Sequence, residues 1–349
     1  MNVFNHPEFA NHESVHFVHD QASGLSAIIA IHNTNRGPAL GGMRMPGYKN
    51  SDEALTDVLR LSRAMTHKAA IADLPLGGGK SVILGDPKTA KTEGLFRAIG
   101  RFIESLGGRY ITAEDMNVSV SDCKIIAQET AHVSGIAAGT PSGGDPSPMT
   151  AEGVFQASQA AMLERFHDRS LSGKLILVEG IGKVGWPLAQ KFVHAGAKVY
   201  VTDIDPERIE RAIAELGVTR APDNILFEQE KLDMYAPCAR GAAVNTENVA
   251  RIEAKIVCGS ANNILEKPEH GEILRQRKIV YVPDYVANCG GLIDVFYQDH
   301  GYDTTKVLAH VHRVAYERNL EILYLATKLD HSTNAVADAI AESHFLRKS

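Results

Sequence analysis

Apolar and polar positions along the first part of the chain alternate between a two-residue and a 3.6-residue period. Leu25 to His32 is a β-rich run that predicts a strand. Ser51 to Lys68 places Leu55, Val58, Leu59, Ser62 and Met65 on one helical face, with Ser51 as the N-cap. Between them lies a glycine-rich turn, Gly37 to Gly42. Leu76-Gly77-Gly78-Gly79-Lys80 then leads into an apolar strand, Ser81 to Leu84. A second helix, Thr92 to Leu106, repeats Leu95, Ile99, Phe102, Ile103 and Leu106 on one face, and the strand Arg109 to Ala113 ends in Glu114-Asp115.

The pattern changes at Gly135 to Pro148, where glycines, prolines and serines replace periodic apolar residues and mark a domain boundary. Helix Thr150 to Phe166 follows, then a strand, turn, helix and strand at Leu175 to Glu179, the next glycines, Leu188 to His194, and Lys198 to Asp203. Further strand candidates, Met234 to Ala236, Ile256 to Cys258 and Ile279 to Val282, alternate with helical stretches, which predicts a parallel α/β sheet. The tail from Thr304 to His344 reads as helical and is expected to fold back on the first domain. The division is therefore residues 1–140, with the helix 328–349 packed on them, and residues 141–327.

Composition narrows the function. A chain of 349 residues, 44% hydrophobic and 22% charged, suits two compact domains with sizeable cores. Its 36 basic and 42 acidic residues leave a net charge of −6, without the basic field of a nucleic-acid binder. No apolar run approaches the ~18 residues needed to span a bilayer, and Met1 to Asn11 lacks the apolar core of a signal peptide, so a cytoplasmic location is expected. Cys123, Cys238, Cys258 and Cys289 are too scattered for a disulfide scaffold and read as reduced, packed thiols. His12-Glu13-Ser14-Val15-His16 matches HExxH, but that pattern holds zinc only on a helix. Val15 and Phe17 argue for a strand here, and no metal site is expected.

The sharpest local chemistry is Gly180-Ile181-Gly182-Lys183-Val184-Gly185. It follows an apolar strand, opens a helix, and has Asp203 at the end of the next strand, the full context of a dinucleotide-binding fingerprint. Glycines let the backbone approach a pyrophosphate, whose charge is met by the helix N-terminus. A carboxylate at Asp203 would accept hydrogen bonds from the ribose hydroxyls and repel a 2′-phosphate, which favours NAD over NADP.

A second cluster joins Lys68 at a helix end, Lys80 after three glycines and Asp115 beyond a strand. Gly77 to Ser81 resembles the end of a P-loop, but Leu74 stands where glycine is required and the lysine leads into a strand rather than a helix. Lys80 sits among glycines and apolar residues, where neighbouring positive charge and desolvation depress a lysine pKa, which makes it a candidate general base.

These residues resemble the glutamate/leucine/phenylalanine/valine dehydrogenase family, and its leucine dehydrogenase branch most closely. The resemblance is carried by Gly37-Pro38-Ala39-Leu40-Gly41-Gly42 with Arg44, Met65-Thr66-His67-Lys68, Leu76 to Lys80, Thr112 to Asp115, and Pro146 to Thr150. It continues through Gly180 to Gly185, Ala236-Pro237-Cys238-Ala239, Gly259 to Asn263, Pro283-Asp284-Tyr285 and Asn288 to Gly291. It implies an α/β N-terminal substrate domain and a C-terminal NAD-binding Rossmann domain, with a cleft between them. Lys68 would hold the substrate α-carboxylate with the backbone of Gly41 and Gly42, Lys80 would activate water, and Asp115 would move protons to and from the nitrogen. Thr150 would contact the nicotinamide carboxamide. Gly180, Ile181, Gly182, Lys183, Val184, Gly185, Asp203, Ala236, Cys238 and Asn288 would bind cofactor, and Asn262 would serve cofactor and substrate.

The same resemblance puts Leu40, Met65, Ala113, Leu292 and Val295 around the substrate. Glutamate-specific members have a lysine where Leu40 stands, so an apolar amino acid such as leucine, valine or isoleucine is expected. Phenylalanine remains an alternative, because one methylene discriminates by only ~1 to 3 kcal/mol. His67, Asp73, Pro75, Met43 and Trp186 depart from the family pattern. A non-catalytic NAD and amino-acid sensor and a 2-hydroxy-acid dehydrogenase are the competing readings. The implied partners are the amino acid or 2-oxo acid, ammonia, and further copies of the chain as an octamer or dimer.

Overall fold

The computed structural model describes residues 3–136, 145–228 and 232–346. Residues 137–144, within the stretch read as a boundary, and 347–349, the end of the tail, lie outside the described residues. Contacts divide the chain into two units, Met1–Gly144 with Gln298–Gly301 and Ala341–Ser349, and Asp145–Tyr297 with Tyr302–Ile340. The tail is thus shared, not assigned to the first unit from 328 onward. Tyr285 donates to Asp338 at 2.7 Å and Thr333 to the Tyr281 carbonyl at 2.7 Å, which keeps its earlier part on the second unit. From Ala341 it turns to the first unit, where Asn35 Nδ2 donates to the Phe345 carbonyl at 2.9 Å.

The first unit is built on strands β1 (Ser14–Asp20), β2 (Leu25–Asn33), β3 (Ala39–Arg44), β4 (Gly77–Ile83) and β5 (Tyr110–Ala113), in the order β1-β2-β4-β3-β5. The β1–β2 and β2–β4 pairs are antiparallel, while β3 runs parallel to both β4 and β5. Helix α1 (Ser51–Ile71) covers one face through Ala54, Leu55, Val58 and Leu59 against Ile28, Ala30 and Val82. Helices α2 (Glu93–Ser105) and α3 (Val120–Ile126) cover the other, where Phe96, Ile99 and Ile103 meet Ile29, Ile31, Met43 and Ile83. Each such side chain contributes about 2 kcal/mol by leaving water.

Three local expectations change. The N-cap of α1 is Asn50, whose side chain accepts the Glu53 N–H at 2.9 Å, rather than Ser51, which already has helical geometry. The supposed turn Gly37 to Gly42 is strand from Ala39, and the three glycines before Lys80 belong to β4. Close approach explains glycine in the strand: a Cβ on Gly78 would stand 2.0 Å from the Thr66 backbone nitrogen of α1.

The second unit contains β6 (Leu175–Glu179), β7 (Lys198–Thr202), β8 (Thr219–Arg220), β9 (Leu232–Pro237), β10 (Ala254–Val257) and β11 (Val280–Tyr281). All its pairs are parallel, in the order β11-β10-β9-β6-β7-β8. Counted from β6 this is 3-2-1-4-5-6, the doubly wound order with a switch point between β6 and β9. The helices are α4 (Ser147–Phe166), α5 (Gly185–His194), α6 (Pro206–Leu216), α7 (Glu269–Gln276), α8 (Asp284–Ala287), α9 (Cys289–Asp299), α10 (Thr304–His312), α11 (Asn319–Leu329) and α12 (Thr333–Phe345). A π-helical turn over Arg313–Arg318 joins α10 to α11, a widening that apolar periodicity does not reveal. No helix among the described residues is long and apolar enough to cross a membrane.

His12 and His16 show why the HExxH match is coincidental. His12 precedes β1, is buried, and bonds the Leu59 carbonyl at 3.1 Å and Ser62 Oγ at 3.0 Å, while Glu13 accepts from Thr34. The His12 ring lies 4.8 Å from that of His32, centroid to centroid. Burial pushes His12 down to about 4, and burial with His12 and His67 pushes His32 down to about 3. Both are neutral when folded but take up protons near 6.5 when unfolded, so the unfolded chain gains protons first. Stability should therefore fall as pH drops from about 6.5 to 4, and His32→Gln should make that decline shallower in thermal melts. Parallel declines in the two proteins would contradict it.

Candidate active site

On the first unit the two-residue period of β3 puts Leu40, Gly42 and Arg44 on one face. Gly42 leaves room for the chain beyond β5: a Cβ there would lie 2.9 Å from the Asp115 Cβ. Lys80 of β4 is buried, 6% exposed, and its Nζ donates to Asp115 Oδ2. Arg44 grips the same carboxylate with Nε at 3.2 Å and Nη2 at 3.3 Å, and turns Nη1 to Asp57 at 3.2 Å. Tyr48 completes the cluster by donating to Asp57 at 2.6 Å. Burial opposes charge on Asp115, but Lys80 and Arg44 outweigh it and hold the carboxyl well below the usual carboxylate range.

Lys68 lies in the last turn of α1, partly exposed, with Met65 one turn earlier. Leu40 is 4% exposed and pairs in register with Gly78 and Ile111. Gly41 and Gly42 pair with Thr112 and Ala113. Tyr110 donates to the Gly41 carbonyl at 2.6 Å from beneath the sheet, an anchor that the strand pattern alone does not reveal.

On the second unit, Gly180 to Gly185 spans the end of β6 and the start of α5, at the switch point. Gly180 has φ +93° and its missing Cβ would collide with Ala239 at 2.8 Å, so no other residue turns the chain there without strain. The Ala236 and Cys238 segment ends β9 alongside, with the Cys238 N–H donating to the Glu179 carbonyl at 2.7 Å. Asp203 receives the Ile181 N–H on Oδ2 at 2.7 Å and the Asp205 N–H on Oδ1 at 2.9 Å. It braces the glycine loop as well as carrying charge, a role that spacing did not disclose.

A dinucleotide fits what these residues present. The N-cap of α5, Val184, has no side-chain cap bond; in the first turn the Trp186 N–H donates to the Gly182 carbonyl at 3.1 Å and Pro187 has no N–H, which leaves the Gly185 N–H for an anion. Gly182 faces open space, with only Arg208 Nη1 near the position of its absent Cβ, at 3.9 Å. Asn288 Nδ2 donates to Asn262 Oδ1 at 2.9 Å and to the Ser260 carbonyl at 3.1 Å, while its Oδ1 is buried without a partner among the described residues. That acceptor suits a ligand amide. Thr150 donates within its own helix to the Pro146 carbonyl at 3.0 Å and keeps its acceptor capacity. Leu292 and Val295 lie on α9, Leu292 buried and Val295 partly so.

Residues 12–132 match the Glu/Leu/Phe/Val dehydrogenase dimerisation domain, and residues 207–297 match the Glutamate/Leucine/Phenylalanine/Valine dehydrogenase domain. The chain is 46% identical to the leucine dehydrogenase of Geobacillus stearothermophilus, covering 98% of this chain and 93% of that protein. It is 44% identical to that of Thermoactinomyces intermedius over 98% and 93%. The crystal structure of L-tryptophan dehydrogenase from Nostoc punctiforme superposes with a TM-score of 0.82 at 38% identity, covering 96% of each chain. This chain belongs to the Glu/Leu/Phe/Val dehydrogenase family of amino-acid dehydrogenases.

Arg44, named among the resembling residues but given no role there, is the cation that joins Asp115 to Asp57. Its period-two relation to Gly42 was the available signal. Arg44→Met should leave Asp57 without a cation and Asp115 with Lys80 alone, and lower stability by about 3 kcal/mol in denaturant melts. An unchanged midpoint would remove Arg44 from the cluster.

Proposed function

We propose that this chain is an NAD-dependent dehydrogenase that reversibly deaminates apolar L-amino acids, above all leucine, valine and isoleucine, to the 2-oxo acid and ammonia. The observation that carries the chemistry is the buried Lys80 in direct contact with Asp115, which packs against Gly42 of β3. A buried lysine and carboxylate pair can exchange a proton with no water between them, which a protein that only binds its ligands does not need.

In this reading Lys68 pairs with the substrate α-carboxylate, and Gly41 and Gly42 let that group approach the sheet. NAD held at Gly180 to Gly185 would supply the acceptor for the hydride that leaves the substrate Cα. The ammonium of the substrate loses a proton to Asp115, whose carboxylate Arg44 keeps ionised and fixed in orientation. Lys80, once it has given up its ammonium proton, takes a proton from the water that adds to the iminium carbon. As ammonia is expelled, Asp115 returns its proton to the departing nitrogen and the hydroxyl gives up its own as the carbonyl forms, so that ammonium leaves and the proton held by Lys80 passes to solvent. The sum is amino acid, NAD⁺ and water giving 2-oxo acid, ammonium, NADH and a proton. On the second unit, Asn288 Oδ1 and Thr150 offer acceptors to the carboxamide, and Asn262 is held in place by Asn288.

Leu40 sets the substrate class. A second carboxylate beside this buried side chain would meet no free cation on β3, because Arg44 already serves Asp115 and Asp57. An unpaired buried carboxylate there costs several kcal/mol. The match to a dimerisation domain supports a homo-oligomer assembled through the first unit. Four free thiols agree with a cytoplasmic setting.

Purified protein with NAD should reduce the cofactor fastest with leucine, valine and isoleucine, slowly with phenylalanine and tryptophan, and negligibly with glutamate or a 2-hydroxy acid. Leadership by aromatic substrates would keep the chemistry and overturn the pocket, whereas silence with intact NADH binding would leave a sensor. Lys80→Ala should abolish turnover while NADH affinity stays within about twofold; equal loss of both would make Lys80 structural. Leu40→Lys should raise the glutamate to leucine ratio of kcat/KM at least tenfold, about 1.4 kcal/mol, and an unchanged ratio would remove Leu40 from the side-chain pocket.

A further inference from the structure

A cavity of about 280 Å³ opens at the glycine loop, lined by Ile181, Gly182, Lys183, Trp186, Arg208 and Arg211. Three of these six residues are cationic, and of the three only Lys183 was given a role by the sequence, as part of the loop. Arg208, in the first turn of α6, is held by its neighbour: its Nε lies 3.3 Å from Asp205 Oδ2. The other oxygen of Asp205 caps α6 by accepting the Glu207 N–H at 3.0 Å. One carboxylate thus starts the helix and aims the guanidinium, leaving Nη1 directed at Gly182, 3.9 Å from the place of its missing Cβ.

Arg211, one turn on, has a different commitment. It makes a two-pronged bond to Glu215 at 2.7 and 3.2 Å, and its guanidinium lies 4.5 Å over the Trp186 ring. The stack forms a wall and leaves Arg208 as the cation facing the loop. A large indole at position 186, unexpected from the family pattern, has its place here.

We propose that Arg208, aimed by Asp205 and backed by the Trp186–Arg211 stack, binds the diphosphate of the dinucleotide. The inference rests on the reading that NAD binds at Gly180 to Gly185. Asp203 and Asp205 place two carboxylates beside the same loop, and the N-terminus of α5 offers only about half a positive charge. A side-chain cation that reaches Gly182 offsets the like charge the diphosphate would otherwise meet, and its N–H groups add charge-assisted hydrogen bonds. The diphosphate is favoured over a 2′-phosphate because Gly182 is the loop position where the backbone admits a pyrophosphate, and Asp203 repels charge at the ribose.

Trp186 is the sole tryptophan of the chain, so its emission reports on this cavity in the intact protein. The test is to titrate wild type, Arg208→Gln and Arg208→Lys with NADH, ADP-ribose, NADPH and adenosine at low and high salt, following Trp186 emission and calorimetric heat. Arg208→Gln should bind NADH and ADP-ribose about tenfold more weakly, with a shallower salt dependence, bind adenosine as before, and melt at the wild-type temperature. Arg208→Lys should recover part of the loss. Equal NADH and ADP-ribose affinity in wild type and Arg208→Gln would overturn the assignment, as would a loss confined to NADPH, which places Arg208 at the 2′-position. A loss that Arg208→Lys does not lessen, accompanied by a lowered melting temperature, would make the residue structural. Failure of wild type to bind NADH at all would instead overturn the cofactor reading beneath it.

Discussion

A lysine ammonium buried in a sheet layer requires a counter-charge, and the first unit is arranged around supplying one to Lys80. Asp115 provides it from the chain beyond β5, and Arg44 secures Asp115 from β3. Bringing the groups together depends on thin backbone. Gly42 makes room for Asp115, while Gly78 lets α1, which bears Lys68, settle on β4. Isolated buried charges cost far more than a domain can offset, whereas a hydrogen-bonded cluster is tolerated and rigid. The same glycines that weaken the strands as strands are thus what allow a charged cluster to sit inside them.

The second unit solves a different electrostatic problem. An anionic cofactor approaches the carboxyl ends of parallel strands, where open helix amides help and carboxylates oppose. Asp203 is drawn partly into the loop by the Ile181 and Asp205 amides, and Asp205 is shared between a helix cap and Arg208. Each acid that would repel the diphosphate is therefore also a positioning device for a donor that attracts it.

Much of this was legible in the sequence where several signals agreed. The doubly wound unit was readable because strand, glycine fingerprint, helix and acidic residue follow one another within a short stretch. The pairing of Lys80 with Asp115 was readable through the family blocks that carry the two residues. What escaped has a common cause, namely contacts that join residues far apart in sequence or reverse a local preference. Glycine runs signalled turns, yet Gly77, Gly78 and Gly79 are strand, packed closely against the Asn33 carbonyl, Thr66 of α1 and the Tyr110 ring in turn. Arg44 gave no hint of its partners because Asp115 lies 71 residues away. Asn50 and Ser51 are both good caps, and only backbone geometry chooses between them. Arg208 belongs to no motif, and only its place beside Gly182 singles it out.

The central claim is that the Nζ of Lys80 is the base that activates water. Chemical rescue tests it most directly, by adding small primary amines of graded basicity to Lys80→Ala with saturating leucine and NAD. Turnover should return, and its rate should rise with amine pKa. A variant that stays folded and binds NADH, yet is not rescued by any small amine, would contradict it.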